Sequence, residues 1–263
     1  MSLAPTHVVV LAAGFGLRLG PLTANRPKAL VEVGGATLLE HALRFASALG
    51  ARDVIVVAGY RRDLVGEHLA ALGMPKVRVV DNPRYAEGNL YSVDAALALV
   101  RGTFLLANCD HIFPDDAALR IADAVSDDVT AFCEFNRPLE SDEMKVKLAP
   151  DGSIARIAKT LADYDGGYIG LTHVPAARLD TYRYAVDRAR TLHGNAAVAE
   201  HALQALADDA VCVRPASLDG IVWSEVDTPE DLARAEGRLR DAALSHAAYA
   251  PRAGARAQRG RDG

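Results

Sequence analysis

The stretch HVVVLAAGFGLRLG, residues 7–20, decides the fold. His7 to Ala13 is an unbroken apolar run with three consecutive valines, the pattern of a strand buried on both faces of a sheet. Gly14 and Gly16 follow it directly. The carboxyl edge of an open α/β sheet is where ligands bind, and glycines there let backbone N–H groups approach phosphate oxygens with no Cβ in the way. Leu19 stands where a dinucleotide fingerprint needs its third glycine, and the Gly-Lys-Ser/Thr of a P-loop is absent. Both common nucleotide loops are thereby disfavoured.

Outward from this strand, short β-branched runs alternate with helical patterns, the signature of a parallel sheet with crossover helices. Thr37 opens a helix with Glu40 three residues on, a capping-box pattern. Strands are expected at Asp53 to Val57, Val77 to Val80 and Thr103 to Leu106, with helices at Asp63 to Leu72 and Leu90 to Val100. The order is that of a mononucleotide-binding fold. The second half is less regular. A strand at Val129 to Phe135 precedes two more, Lys145 to Leu148 and Ser153 to Ile157, around an Ala149-Pro150-Asp151-Gly152 turn, which read as an antiparallel insertion. Tyr168 to Val174 returns to the sheet, helices cover Ala176 to Leu206, Ala210 to Arg214 is a strand, and Thr228 begins the last helix. One domain, residues 1–244, is expected, with a disordered Ala/Gly/Arg-rich tail over 245–263.

A chain of 263 residues, half of them hydrophobic, can bury a substantial core. The net charge of −5 argues against broad nucleic-acid binding, which needs a basic face. Cys109, Cys133 and Cys212 are odd in number and lack metal-ligand spacing, so they read as reduced thiols. The apolar start is short and glycine-broken, unlike a signal peptide or membrane span, and a cytoplasmic location is expected.

Several polar residues stand at the binding edge. Arg18 comes two residues after Gly16, and Lys28 follows Pro27 beyond a polar turn. Asp110 ends a core strand, where a carboxylate can hold a hard cation against phosphates. Asp227 precedes a helix, as an N-cap residue would. The segment Asn82-Pro83-Arg84-Tyr85-Ala86-Glu87-Gly88-Asn89 forms another loop at the same edge.

The whole string LAAGFGLRLGPLTANRPKALVEVGG, residues 11–35, resembles the signature of the sugar-phosphate nucleotidyltransferases. Asp110-His111 and Val226-Asp227-Thr228-Pro229-Glu230-Asp231-Leu232 are similar to motifs of its cytidylyltransferase branch. The loop 82–92, with Lys145-Val146-Lys147, Ile157-Ala158-Lys159 and Tyr164-Asp165, resembles the inositol-1-phosphate, phosphocholine and aminoethylphosphonate members. The resemblance spans roughly residues 7 to 236. It implies a Rossmann-like nucleotidyltransferase fold, with a mostly parallel sheet, helices on both faces and a small antiparallel insertion on the acceptor side.

It further implies a magnesium-dependent transfer of CMP from CTP to a small phosphorylated or phosphonate acceptor, with release of pyrophosphate. Arg18 and Lys28 would neutralise the triphosphate, Gly14 and Gly16 would close around it, and Asp110 and Asp227 would bind magnesium. The base would lie against Ala13, Gly14, Gly59, Tyr60, Gly88 and Asn89. Lys145 and Lys159 would face the acceptor phosphate, with Tyr168 and Glu225 beside them. Inositol-phosphate members commonly carry Asp-Thr-Gly where this chain has Tyr168-Ile169-Gly170, and Glu225 is nearer the amine-handling members. The alternatives are a hexose-1-phosphate enzyme using UTP, dTTP or GTP, and a non-catalytic nucleotide-sensing subunit. A homo-oligomer is admitted, with no sequence feature that requires it.

Overall fold

Along β1 (His7–Ala12) the side chains alternate between two hydrophobic layers, because successive residues of a strand point to opposite faces. Val8, Val10 and Ala12 join one core and Val9 joins the other. The computed structural model describes residues 4–74 and 76–249. After the glycine loop, two short 3-10 turns, Leu17–Thr23 and Lys28–Leu30, lead into a hairpin of β2 (Glu32–Val33) and β3 (Ala36–Thr37). Thr37 then caps α1 (Leu38–Ala48). Its hydroxyl accepts the Glu40 N–H at 3.1 Å, while the Glu40 carboxylate accepts the Thr37 N–H at 2.8 Å.

The next five elements, β4 (Asp53–Ala58), α2 (Arg62–Leu72), β5 (Val77–Asp81), α3 (Leu90–Leu97) and β6 (Phe104–Asn108), alternate as expected. Then come β7 (His111–Ile112), α4 (Asp115–Ala124), β8 (Val129–Glu134), β9 (Lys145–Leu148), β10 (Ile154–Ala158) and β11 (Gly166–Val174). The chain continues through α5 (Leu179–His193), α6 (Ala199–Asp208), β12 (Val213–Ser217), β13 (Ser224–Glu225) and α7 (Pro229–Tyr249). Helix α7 thus covers the start of the expected tail, and residues 250–263 lie outside the described residues.

In the main sheet β6, β1, β4 and β5 are parallel neighbours, which is the mononucleotide-binding half. Strand β11 enters antiparallel beside β6 and also pairs with β8 and β9, so the sheet continues through the β9–β10 hairpin to an edge at β10. This is the small antiparallel insertion. One face is covered by α1, α2 and α4 through Leu39, Leu43, Val65 and Ile121, the other by α3, α5 and α6 through Leu90, Val93, Tyr182 and Leu203. Each such large side chain, removed from water, contributes about 1.5–3 kcal/mol. No helix among the described residues is long and apolar enough to cross a membrane. The three thiols are free, and burial pushes those of Cys109 and Cys133 far up, leaving them unreactive.

Candidate active site

Because β1 and β6 run side by side and in the same direction, the loops that follow them emerge together. The N–H of Cys109 donates to Leu11 O at 3.1 Å, which draws Asp110 against the glycine loop. Gly16 has φ +71°, a left-handed conformation that L side chains rarely adopt, and a Cβ there would lie 2.7 Å from Lys28 Cβ. The loop is tied down by Thr23, whose hydroxyl donates to Gly16 O at 2.9 Å, and by the buried Leu19. Arg18, between these anchors, is left facing outward.

A second, smaller ladder completes the centre. Strand β13 pairs with β7, setting Glu225 opposite His111, and the Val226 N–H donates to Asp110 O at 3.0 Å. The α7 terminus is capped by Thr228 and not by Asp227: the Asp231 N–H donates to Thr228 Oγ1 at 3.2 Å, and the Thr228 N–H donates to Asp231 Oδ2 at 2.8 Å. Asp227 is thereby freed from capping. Its carboxylate contacts both Arg18 and Lys28, and Lys28 Nζ also lies 2.5 Å from Asp110 Oδ2.

Burial works against the Lys28 charge, but Asp110 and Asp227 outweigh it and hold its pKa above the usual lysine value. Asp110 is likewise opposed by burial and held low, chiefly by Lys28. Glu225 goes the other way: burial, and then the charges of Asp110 and Asp227, push its carboxyl up to about 8. Oxygens of Asp110, Glu225 and Asp227 all lie within 4.8 Å of one another. Buried Asp110 Oδ1 accepts no hydrogen bond among the described residues. Three convergent carboxylates, one with a buried oxygen that accepts no hydrogen bond and has the His111 Nδ1 3.3 Å away, suit a divalent cation with oxygen ligands.

A cavity of about 300 Å³ opens on this centre and is lined by Ala13, Gly14, Lys28, Tyr85 and Asn89, among others. Gly59, Tyr60 and Gly88, expected against the base, lie behind its wall. A Cβ on Gly59 would meet the Tyr85 side chain at 2.3 Å, the Tyr60 N–H donates to Ala13 O at 3.1 Å, and a Cβ on Gly88 would lie 1.9 Å from Ala197 O. These glycines are required by close packing of protein against protein. Phe15 packs at a tilt against Tyr60 and Tyr85, with ring centroids 4.9 and 5.2 Å away, so the three loops that carry them are clamped together.

A smaller cavity, about 120 Å³, adjoins on the insertion side, with Lys159, Tyr168, Glu200, Trp223 and Glu225 in its walls. Lys159, Tyr168 and Glu225 thus line one cavity. Lys145 does not join them. It is buried, and its ammonium is surrounded by carbonyls of Glu140, Ser141, Glu143 and Lys159 at 3.0–3.3 Å, which organise the loop before β9. Lys147 is taken up by Asp163 and Asp165. Tyr168 presents its ring, since its hydroxyl is within 2.7 Å of Thr172 Oγ1. Sequence reasoning missed Asp142 and Glu200, which also line this cavity; neither belongs to a motif, and only the packing of α6 brings Glu200 here.

The sequence matches the family described as the MobA-like NTP transferase domain over residues 8–258. A bifunctional IPC transferase and DIPP synthase of Rubrobacter xylanophilus is 36% identical, over 86% of this chain and 50% of the relative. A CMP-5'-(3-aminopropyl)phosphonate synthase of Streptomyces rubellomurinus is 30% identical, over 89% of this chain and 39% of that protein. This chain spans about half the length, or less, of these curated relatives. The inositol-1-phosphate CTP transferase from T. maritima superposes with a TM-score of 0.76 at 21% identity, over 90% of this chain and 97% of that one, so the fold is shared.

Proposed function

The chain belongs to the MobA-like NTP transferase family, and from that premise we propose that it transfers CMP from CTP to a small phosphorylated or phosphonate acceptor. The observation that carries this reading is the contact of Lys28 with both Asp110 and Asp227 at the mouth of the nucleotide cavity. Fixed cations, beside carboxylates that can hold a metal cation, are what a departing pyrophosphate requires, since negative charge builds there as the bond breaks. A magnesium ion held by Asp110 and Asp227, with Glu225 in reach, would supply further charge neutralisation.

Each residue has a definite task. Gly14 allows the backbone to approach the triphosphate, and Arg18 and Lys28 neutralise it. Lys159 receives the phosphate or phosphonate of the acceptor. An acceptor oxygen forms a bond to the α-phosphorus in line, the bridging P–O bond to the β-phosphate breaks, and its electron pair leaves with pyrophosphate. The attacking oxygen is already ionised near neutral pH, so no general base is needed. In keeping with this, burial holds the pKa of His111 below the ordinary value, which suits a positional role.

On the acceptor side Asp142, Glu143, Glu200, Glu225 and Asp227 outnumber Arg18 and Lys159, Trp223 offers an aromatic face, and a bound cation would draw Glu225, held up at about 8, toward its charged form. That surplus favours an acceptor with an amine or quaternary ammonium over a neutral polyol. A purely nucleotide-sensing role would not require Arg18, Lys28, Asp110 and Asp227 to meet at one point. The deciding experiment is a matrix of CTP, UTP, GTP and ATP against inositol-1-phosphate, phosphocholine, aminoethylphosphonate and glucose-1-phosphate, read by pyrophosphate release with magnesium. Release with CTP and one of the first three supports the proposal. Release only with a hexose phosphate, or with none, rejects it.

A further inference from the structure

We propose that α6 is a single support holding the nucleotide loop and the acceptor pocket in register, with Gln204 as the positioning residue on the acceptor side. The inference rests on the nucleotidyl-transfer reading above.

At its first residue α6 is tied to the nucleotide cavity, where Asn89 Oδ1 accepts the Ala199 N–H at 2.8 Å. The linker into the helix adds to this attachment. The N–H groups of Gly88 and Leu90 donate to Asn195 O and Ala197 O at 2.7 and 3.2 Å, and the Tyr91 hydroxyl donates to Gly194 O at 3.1 Å. Loop 88–91 is thus bonded along its length to 194–199. The residue after Ala199 is Glu200, whose side chain lines the acceptor cavity.

One turn further on, Gln204 reaches the exposed edge of the sheet. Its Oε1 accepts the Ile157 N–H at 2.8 Å, and its Nε2 donates to Ala155 O at 3.3 Å. Among the described residues strand β10 pairs only with β9, so this carboxamide bonds its other edge as a neighbouring strand would. Strand β10 ends at Ala158, and Lys159, which follows, lines the acceptor cavity. The helix is anchored before Gln204 by Ala199, Ala202 and Leu203 and after it by Ala205 and Leu206, all buried. It cannot shift at one end without shifting at the other.

Nucleotide that orders loop 82–91 therefore restrains Glu200 and Lys159, and the two substrates bind with positive coupling, equal in both directions. The test is hydrogen exchange on the full chain with and without CTP and magnesium. In the wild type, CTP should slow exchange at 82–91, at 199–204 and at 154–159. Gln204→Ala should keep the first two responses and lose the third. Its KM for the best acceptor of the matrix, at saturating CTP, should rise about 5-fold or more, while its Kd for CTP in the absence of acceptor should not change. Gln204→Glu, which retains the oxygen facing Ile157 but sets its other oxygen against Ala155 O and Asp208 Oδ1, should recover part of the response at 154–159. The coupling is refuted if 154–159 responds equally in wild type and Gln204→Ala, or fails to respond in the wild type while 82–91 does. Absence of any response to CTP, including at 11–16, overturns the nucleotide reading as well.

Discussion

Lys28 Nζ lies against Asp110 and Asp227 together, 2.5 Å from Oδ2 of the former and in direct contact with Oδ1 of the latter. Its side chain is 12% exposed, and with Arg18 also on Asp227 two cations face two carboxylates around an ammonium that water screens little. Removing either carboxylate charge unbalances this group and takes an oxygen ligand from the candidate cation site. Asp110→Asn and Asp227→Asn should each reduce turnover by roughly 10²–10³-fold, the scale on which charge-stabilising groups act. Pyrophosphate release and far-ultraviolet circular dichroism, measured together, check this. Near wild-type turnover in either variant, with the fold intact, would show that the pair does not serve the reaction.

The nucleotide cavity offers about 300 Å³ between the glycine loop and Tyr85. If the chain transfers CMP as proposed, kcat/KM should be higher for CTP than for GTP or ATP. Initial rates with each triphosphate at equal magnesium decide it, and equal rates with purines would remove the cytidylyl assignment.

On the acceptor side, the two charges of opposite sign should separate by variant. Lys159→Ala should impair every acceptor, because each carries a phosphate or phosphonate. Glu225→Gln should impair phosphocholine and aminoethylphosphonate more than inositol-1-phosphate, since only the former present a cation. A wild type that turns over inositol-1-phosphate well and ignores both amines would defeat the amine reading.

His41 gives stability a pH dependence of known sign. It lies half-buried, with Nε2 2.9 Å from Val33 O of the β2–β3 hairpin. Burial, the largest influence, together with the Arg44 charge, lowers its pKa despite that hydrogen bond. A histidine depressed in the folded state binds its proton more readily once unfolded. Its contribution is therefore complete above the unfolded pKa of about 6.5 and is lost as pH falls from there through the folded value. Urea midpoints between pH 5 and 7.5 should fall with acidification, and less steeply in His41→Gln. Identical slopes in the two proteins would assign the effect elsewhere.

Much of this was legible in the sequence because long elements repeat their signal. The valine run of β1, the Thr37–Glu40 cap and the turn before Gly152 each state a local preference that the packed protein keeps. The short ladders were not legible. Strands β7 and β13 are two residues each and exist only by pairing with one another, so neither has a period of its own. Helix α4 went unread, although Asp115 and Asp116 stand in its first turn, where acids suit the helix dipole. Among site residues, Arg18, Lys28, Asp110 and Asp227 belong to a string or strand end with a physical purpose, and they meet. Gly88 and Lys145 were read as facing ligands because a glycine announces a close approach and a lysine a charge. Neither announces the partner, and in both cases that partner is the protein's own backbone.

The β7–β13 ladder also orders events in time. The glycine loop, Lys28 and Asp110 lie in the first 110 residues, whereas Glu225 and Asp227 arrive only when β13 zips onto β7 and Val226 bonds Asp110 O. A nascent chain still emerging from the ribosome can assemble the parallel half of its sheet long before it has more than one of the three carboxylates. Under the proposed function, a chain without β13 holds only one of the three carboxylates and has no complete centre.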